Sequence, residues 1–234
     1  MDKTVLITGG SSGLGYAAAE RFLAEGATVF IAARRPDEVH AAASTLGPGA
    51  HACPVDVTRA QDRDRMYAEI SRTCGSLDAM VANGGGPFFG TIEDYTDETL
   101  DRSWELNGKA VVRTVQKALP LMPDRGAIVL MSSIKGERGT PGLGAYAAMK
   151  AAQQSFARTW ANELAPRRIR VNAIQPGRHL YARVRSRRGQ RGRPRSGRAA
   201  YPGRAAWTGE RVCGGYRVPR LVQRVVRQRN QPRR

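Results

Sequence analysis

Thr4-Val5-Leu6-Ile7-Thr8-Gly9-Gly10-Ser11-Ser12-Gly13-Leu14-Gly15 passes from a short apolar run through a glycine-rich loop into an amphipathic pattern over residues 14–25. The period changes from strand-like to helix-like across the loop, which predicts a strand, a tight turn and a helix. The alternation then repeats. Strands are predicted over 4–8, 28–33, 51–55, 78–82, 127–132 and 169–173, and helices over 14–25, 36–45, 59–73, 97–121 and 144–165. Strictly alternating βα units imply right-handed crossovers and an α/β fold, a doubly wound parallel sheet covered by helices on both faces.

Ligands of such sheets sit beyond the carboxyl ends of the strands. Chemistry-bearing residues cluster there: the glycine loop after the first strand, Arg34 and Arg35 after the second, Asp56 after the third, Asn83-Gly84-Gly85-Gly86 after the fourth, Ser133 after the fifth and Pro176-Gly177 after the sixth.

At 234 residues with 41% hydrophobic content, the chain suits one domain with a self-sufficient core. A formal net charge of +18 would point to nucleic acid or a membrane surface, but its distribution says otherwise. Residues 178–234 hold 18 Arg, no Lys and a single acid, Glu210, so they carry 17 of those charges. Cys53, Cys74 and Cys213 are odd in number and lie in no metal-like spacing, which argues for free thiols and a reducing cytoplasm. No apolar run reaches the roughly 18 residues of a membrane span, and a soluble cytoplasmic protein is expected.

In the loop from Thr8 through Gly9, Ser11, Ser12, Gly13, Leu14 and Gly15, missing side chains would let backbone approach a pyrophosphate, and the helix N-terminus offers free N–H groups. The competing reading is a glycine-rich turn without a ligand, which the strand–loop–helix context weakens. At the end of the second strand an acid would suit an adenosine ribose, whereas a base would pair with a 2′-phosphate. Ala32-Ala33-Arg34-Arg35 has no acid before Asp37, which favours NADP(H) over NAD(H), mainly through Arg34; otherwise the arginines are merely solvated. Asp56-Val57 could set a carboxylate against an adenine amino group, or Asp56 could serve as a turn and cap.

Tyr146 and Lys150 are four apart, on one face of a helix. A nearby ammonium favours phenolate, so the tyrosine can pass a proton to or from a substrate oxygen. Lys150 can also hold nicotinamide ribose hydroxyls, and Ser133 can donate to the reacting oxygen. Tyr-x-x-x-Lys by itself is common on ordinary surface helices; here it follows Met131-Ser132-Ser133 and shares the chain with the glycine loop.

Taken together, Thr8-Gly-x-x-x-Gly13-x-Gly15, Asp56, the Asn83-Gly84 loop, Asn107, Ser133, Tyr146, Lys150 and Pro176-Gly177 make residues 4–177 resemble the short-chain dehydrogenase/reductase family. The resemblance implies a Rossmann fold, hydride transfer at nicotinamide C4 and interconversion of a small-molecule ketone and secondary alcohol. It also implies a water held by Asn107 that links Lys150 to solvent, and a homodimer or homotetramer paired through the long helices around Asn107 and Tyr146. The loop Gly84-Gly85-Gly86-Pro87-Phe88-Phe89 departs from the family pattern by an extra glycine; it would add apolar pocket surface, or act as a hinge beside a core aromatic pair.

Past Gly177 the resemblance stops. A hydroxyl residue near the cofactor carboxamide, a helical lid and a last strand are expected there, but the arginine-rich run has no period of 2 or 3.6. Residues 1–177 are therefore taken as the nucleotide-binding and catalytic core and 178–234 as an aberrant tail. That tail would be a polyanion-binding or nucleic-acid-binding extension, a solvated disordered segment, or a reading-frame shift in GC-rich coding DNA. The last is favoured, because Arg178-His179-Leu180-Tyr181-Ala182-Arg183 can be encoded so that reading one base later gives Ala-Ile-Tyr-Thr-Pro. Without lid and last strand, weak cofactor binding and poor turnover are expected, the non-catalytic alternative being a relic of the family.

Overall fold

Val5 and Ile7 face one side of the first strand, β1 (Thr4–Thr8), and Leu6 faces the other, so each side meets its own layer of helices. The computed structural model describes residues 3–177. Val5 and Ile7 share a core with Leu14, Ala18 and Phe22 of α1 (Gly13–Ala24) and with Val39 and Ala42 of α2 (Pro36–Leu46). Leu6 shares the opposite core with Met66, Tyr67 and Ile70 of α3 (Ala60–Cys74). Burial on both faces makes β1 continuously apolar, as a central parallel strand requires.

Five more strands complete the sheet: β2 (Thr28–Ala33), β3 (Ala50–Pro54), β4 (Ala79–Ala82), β5 (Ala127–Met131) and β6 (Arg170–Ile174). Their order is β3-β2-β1-β4-β5-β6 and every pair is parallel, the doubly wound arrangement expected from the alternation. The chain reverses its direction of winding between β1 and β4, where Thr8 lies in register with Ala82. That crevice holds the glycine loop and the Asn83 loop.

Strand bounds agree with the predicted ones to within a residue. The predicted helix over 97–121 is a correction. It is divided into α4 (Asp97–Trp104), a π turn (Glu105–Lys109) and α5 (Ala110–Ala118). A Cβ on Gly108 would come within 2.3 Å of Trp104 Cε3, so the wide turn lets the indole lie against bare backbone. Periodicity cannot register one extra residue in a turn, and π turns recur at functional positions. Thr96 caps α4, its Oγ1 accepting from Thr99 N–H at 3.2 Å. The last long helix, α6, spans Gly144–Glu163.

Among the described residues, β6 borders the sheet. The tail assigned to 178–234, and with it the expectation about a lid and a last strand, lies outside the described residues. No helix among the described residues is long and apolar enough to cross a membrane, and Cys53 and Cys74 are free thiols.

Candidate active site

The loops after β1 and β4 are clasped together by polar side chains. Thr8 Oγ1 accepts from Asn83 N–H (3.0 Å) and Gly84 N–H (2.9 Å), and Asn83 Nδ2 donates to the carbonyls of Thr8 (3.1 Å) and Gly9 (3.0 Å). Gly15 must lack a side chain, because its Cβ would stand 2.3 Å from Gly9 O and 2.7 Å from Asn83 Nδ2. Gly13 adopts φ +60° with nothing within 4 Å of a built Cβ, a backbone that L side chains rarely take. Ser11 is half-buried, Leu14 is buried in the core and Ser12 is exposed. As the N-cap of α1, Ser12 makes no side-chain cap, so first-turn N–H groups remain available to an anion.

Two arginines adjacent in sequence have different surroundings. Arg35 is tied to Glu38 at 2.6 Å, whereas Arg34 is exposed and has no ion-pair partner among the described residues. After β3, Asp56 Oδ1 accepts from Thr58 N–H (3.0 Å) and Thr58 Oγ1 (2.7 Å), and its own N–H donates to Asp62 Oδ2 (2.9 Å). The turn role weighed for Asp56 is thus occupied by one carboxylate oxygen. Val57 C=O accepts from the buried Arg63 at 2.6 Å. The Asp62 carboxyl is held below its usual range, chiefly by that Asp56 N–H.

Across the crevice, β5 delivers Ser132 and Ser133 to the face of α6. Ser133 Oγ accepts from Lys135 N–H at 3.1 Å, capping a short 3₁₀ turn, Ile134–Gly136. The carbonyl of Pro176 accepts from Ile134 N–H (3.4 Å), and Gly177 lies against Ile134, so the end of β6 is folded over the Ser133 turn. Lys150 is buried. Its Nζ donates to Met131 C=O (2.6 Å) and Gln153 Oε1 (3.2 Å), and lies 5.6 Å from the centroid of the half-buried Tyr146 ring. Burial pulls the Lys150 pKa down from 10.5 to about 8.

Asn107, fully buried in the π turn, pairs with both main-chain polar groups of one residue, Gly86. Its Oδ1 accepts from Gly86 N–H (3.1 Å) and its Nδ2 donates to Gly86 C=O (3.0 Å). A Cβ on Gly85 would sit 2.7 Å from Asn107 Oδ1 and 3.5 Å from Lys150 Nζ, so the glycines here admit close packing beside the lysine. The alternative of Phe88-Phe89 as a core aromatic pair is corrected: Phe89 is exposed, and Phe88 lies under the Arg102 guanidinium at 5.3 Å.

Four side chains at this site were not singled out in the sequence. Gln153 Nε2 donates to Asn107 C=O at 2.7 Å, Gln154 Nε2 donates to Ser132 Oγ at 3.2 Å, and Ser132 Oγ donates to Lys150 C=O at 2.7 Å. Tyr95 OH accepts from Ala145 N–H at 2.7 Å and so secures the first turn of α6, where Tyr146 stands. The adjacent glutamines three and four residues past Lys150 share its helix face and were a legible signal; Tyr95 carried none.

A doubly wound sheet with an anion-ready loop at its switch point, facing a Ser–Tyr–Lys group, defines a nucleotide-binding oxidoreductase class. The chain belongs to the short chain dehydrogenase family, which it matches over residues 3–190. It is 42% identical over 176 residues to Oxidoreductase asL5 of Sarocladium schorii, an alignment covering 74% of this chain and 71% of that protein. It is 36% identical to human Dehydrogenase/reductase SDR family member 4, covering 75% of this chain and 66% of that one. L-sorbose reductase of Gluconobacter frateurii, solved with NADPH and L-sorbose, superposes with a TM-score of 0.72 at 35% identity, covering 75% of this chain and 69% of that chain.

Proposed function

We propose that the chain interconverts a ketone and a secondary alcohol, with Tyr146 as proton donor and acceptor and NADP(H) as the hydride carrier. The observation that carries this reading is the buried Lys150 ammonium, fixed on Met131 C=O and lying 5.6 Å from the Tyr146 ring beside the Ser133 turn.

The residues fit such a cofactor. Gly13 and Gly15 keep the loop open, the uncapped start of α1 faces it, and Arg34 has no acidic partner among the described residues. Thr8, Gly9, Ser11, Ser12, Gly13, Leu14 and Gly15 would hold the pyrophosphate, and Arg34, with Arg35 at the rim, a 2′-phosphate. Asp56 through its second oxygen, Val57, Asn83 and Gly84 would border the adenosine, and Pro176 and Gly177 the nicotinamide. Bound there, the nicotinamide supplies or accepts the hydride.

The remaining steps belong to the side chains. Ser133 donates to the substrate oxygen and orients it. Tyr146 gives that oxygen a proton on reduction and takes it back on oxidation. The positive Lys150 favours the tyrosinate, and with its own pKa near 8 it can release and regain a proton at working pH. Asn107 holds the Gly86 loop against this group and would support a water that links Lys150 to solvent as the proton path. Leu100 and Trp104, partly exposed on α4, belong to the face through which we expect subunits to pair as a dimer or tetramer. Free thiols at Cys53 and Cys74 support a cytoplasmic setting.

The boundary at Gly177 and the arginine-rich sequence after it predict weaker cofactor binding and slower turnover than a chain with a family-like ending. Fluorescence titration of the 234-residue chain with NADPH and with NADH tests the reading. Saturable binding that prefers NADPH, followed by reduction of a ketone panel, supports it, whereas a folded chain that binds neither nucleotide refutes it. Vigorous turnover would refute the impairment.

A further inference from the structure

Gln153 is 1% exposed on α6, one turn beyond Lys150, and both ends of its carboxamide are used. A buried amide is costly unless its polar atoms are paired. Here the pairing also sets its direction. The Asn107 carbonyl can only accept, so Nε2 must face it at 2.7 Å, and this turns Oε1 toward the Lys150 ammonium at 3.2 Å. With the two Asn107–Gly86 hydrogen bonds, the result is an unbroken polar run from Gly86 through Asn107 and Gln153 to Lys150. It joins the loop after β4, the π turn and α6.

We propose that Gln153 is a positioning residue: the π turn fixes its carboxamide so that Oε1 holds the charged form of Lys150 in place beneath Tyr146. The inference deepens the proposed ketone–alcohol chemistry and rests on it for its catalytic meaning, but its structural content can be measured without turnover.

Around Lys150, Tyr146 is the titratable neighbour from α6, while Met131 on β5 and Asn107 in the π turn present uncharged atoms. Charged side chains on the packed elements are engaged elsewhere: Lys109 with Glu105, Lys135 with Thr140, Glu137 with Gln175, Arg102 with Glu98 and Arg167 with Asp124. Asp97 and Asp101 are exposed on α4. Arg170 is in register with Ala127, at the opposite end of β5 from Met131, and Arg158 and Glu163 lie two turns or more further along α6.

An acceptor stabilises the ammonium, and a carboxylate stabilises it more. The test is a pH titration of the 234-residue chain by NMR with ¹³Cε-labelled lysine. The chain has five lysines, and the Lys150 signal is assigned by its loss in Lys150→Met. Relative to the wild-type midpoint, Gln153→Leu should move the Lys150 midpoint down by about one pH unit and Gln153→Glu should move it up by about one. Midpoints that stay put, or that move in the same direction, overturn the proposal. Should Gln153→Leu fail to fold, Gln153→Glu, which keeps length and acceptor, decides alone: a midpoint that does not rise overturns it. If the midpoints diverge in a chain that reduces no ketone, Gln153 positions Lys150 and the proposed reaction fails.

Discussion

Thr8 Oγ1 accepts two main-chain N–H groups, from Asn83 and Gly84, and the Asn83 side chain returns hydrogen bonds to the carbonyls of Thr8 and Gly9. The ends of β1 and β4 are thereby locked together at the crevice where the sheet changes winding direction. Thr8→Val keeps the shape of the side chain but leaves both N–H groups without their acceptor. A loss of about 1–3 kcal/mol is expected in denaturant unfolding, with weaker nucleotide binding because the loop is no longer held. Unchanged stability would show that water replaces the hydroxyl without cost.

Gly15→Ala drives a methyl into Gly9 O at 2.3 Å and Asn83 Nδ2 at 2.7 Å. Backbone on one side and the Asn83 clasp on the other leave little room to yield. Destabilisation of about 1–3 kcal/mol is expected, accompanied by loss of nucleotide binding. A variant that melts with the wild type and titrates normally with NADPH would contradict the close approach.

Arg34 and Arg35 should separate cleanly on substitution. Arg34→Ala removes a cation with no partner among the described residues, and the affinity for NADPH should fall about 10- to 100-fold with little change for NADH. Arg35→Ala mainly breaks an exposed pair with Glu38 and should change either affinity by less than about threefold. Parallel fluorescence titrations decide, and an equal loss for both nucleotides at Arg34 would remove it from the 2′-phosphate.

Tyr146→Phe deletes the hydroxyl proposed to move the proton and leaves the ring over Lys150. Turnover should drop by at least about 100-fold, while the NADPH dissociation constant stays within a few-fold. Single-turnover kinetics beside a binding titration measure both, and retained turnover would move the proton transfer to another group.

Burial of the Lys150 ammonium also leaves a mark on stability. The folded-state pKa near 8 lies below the unfolded value of 10.5, so between these two pH values the unfolded chain binds more protons and stability rises with pH. Below pH 8 the buried charge imposes its full cost; by pH 10.5 the cost is gone. The difference in unfolding free energy between wild type and Lys150→Met should therefore shift in favour of the wild type across that window, by on the order of 3 kcal/mol. Denaturant melts of the two chains at pH 7, 9 and 10.5 check it, and a difference independent of pH would mean that Lys150 is charged throughout.

The order of elements, the parallel sheet and the loops that carry chemistry were determined by local sequence. Apolar runs such as residues 4–8, glycines between strand and helix, and the four-residue spacing of Tyr146 and Lys150 each depend on neighbours a few positions away, and backbone geometry repeats at those distances. Other features arise only when distant segments meet. The π turn at Asn107 exists because Trp104 lies on Gly108 while the Asn107 amide reaches Gly86, contacts that no periodicity encodes. Gln153 resembles any polar helix residue until folding buries it between a cation and a carbonyl contributed from 46 residues away. Pattern along the chain chose the scaffold; burial and the need to pair every buried polar group settled how its reactive centre is held.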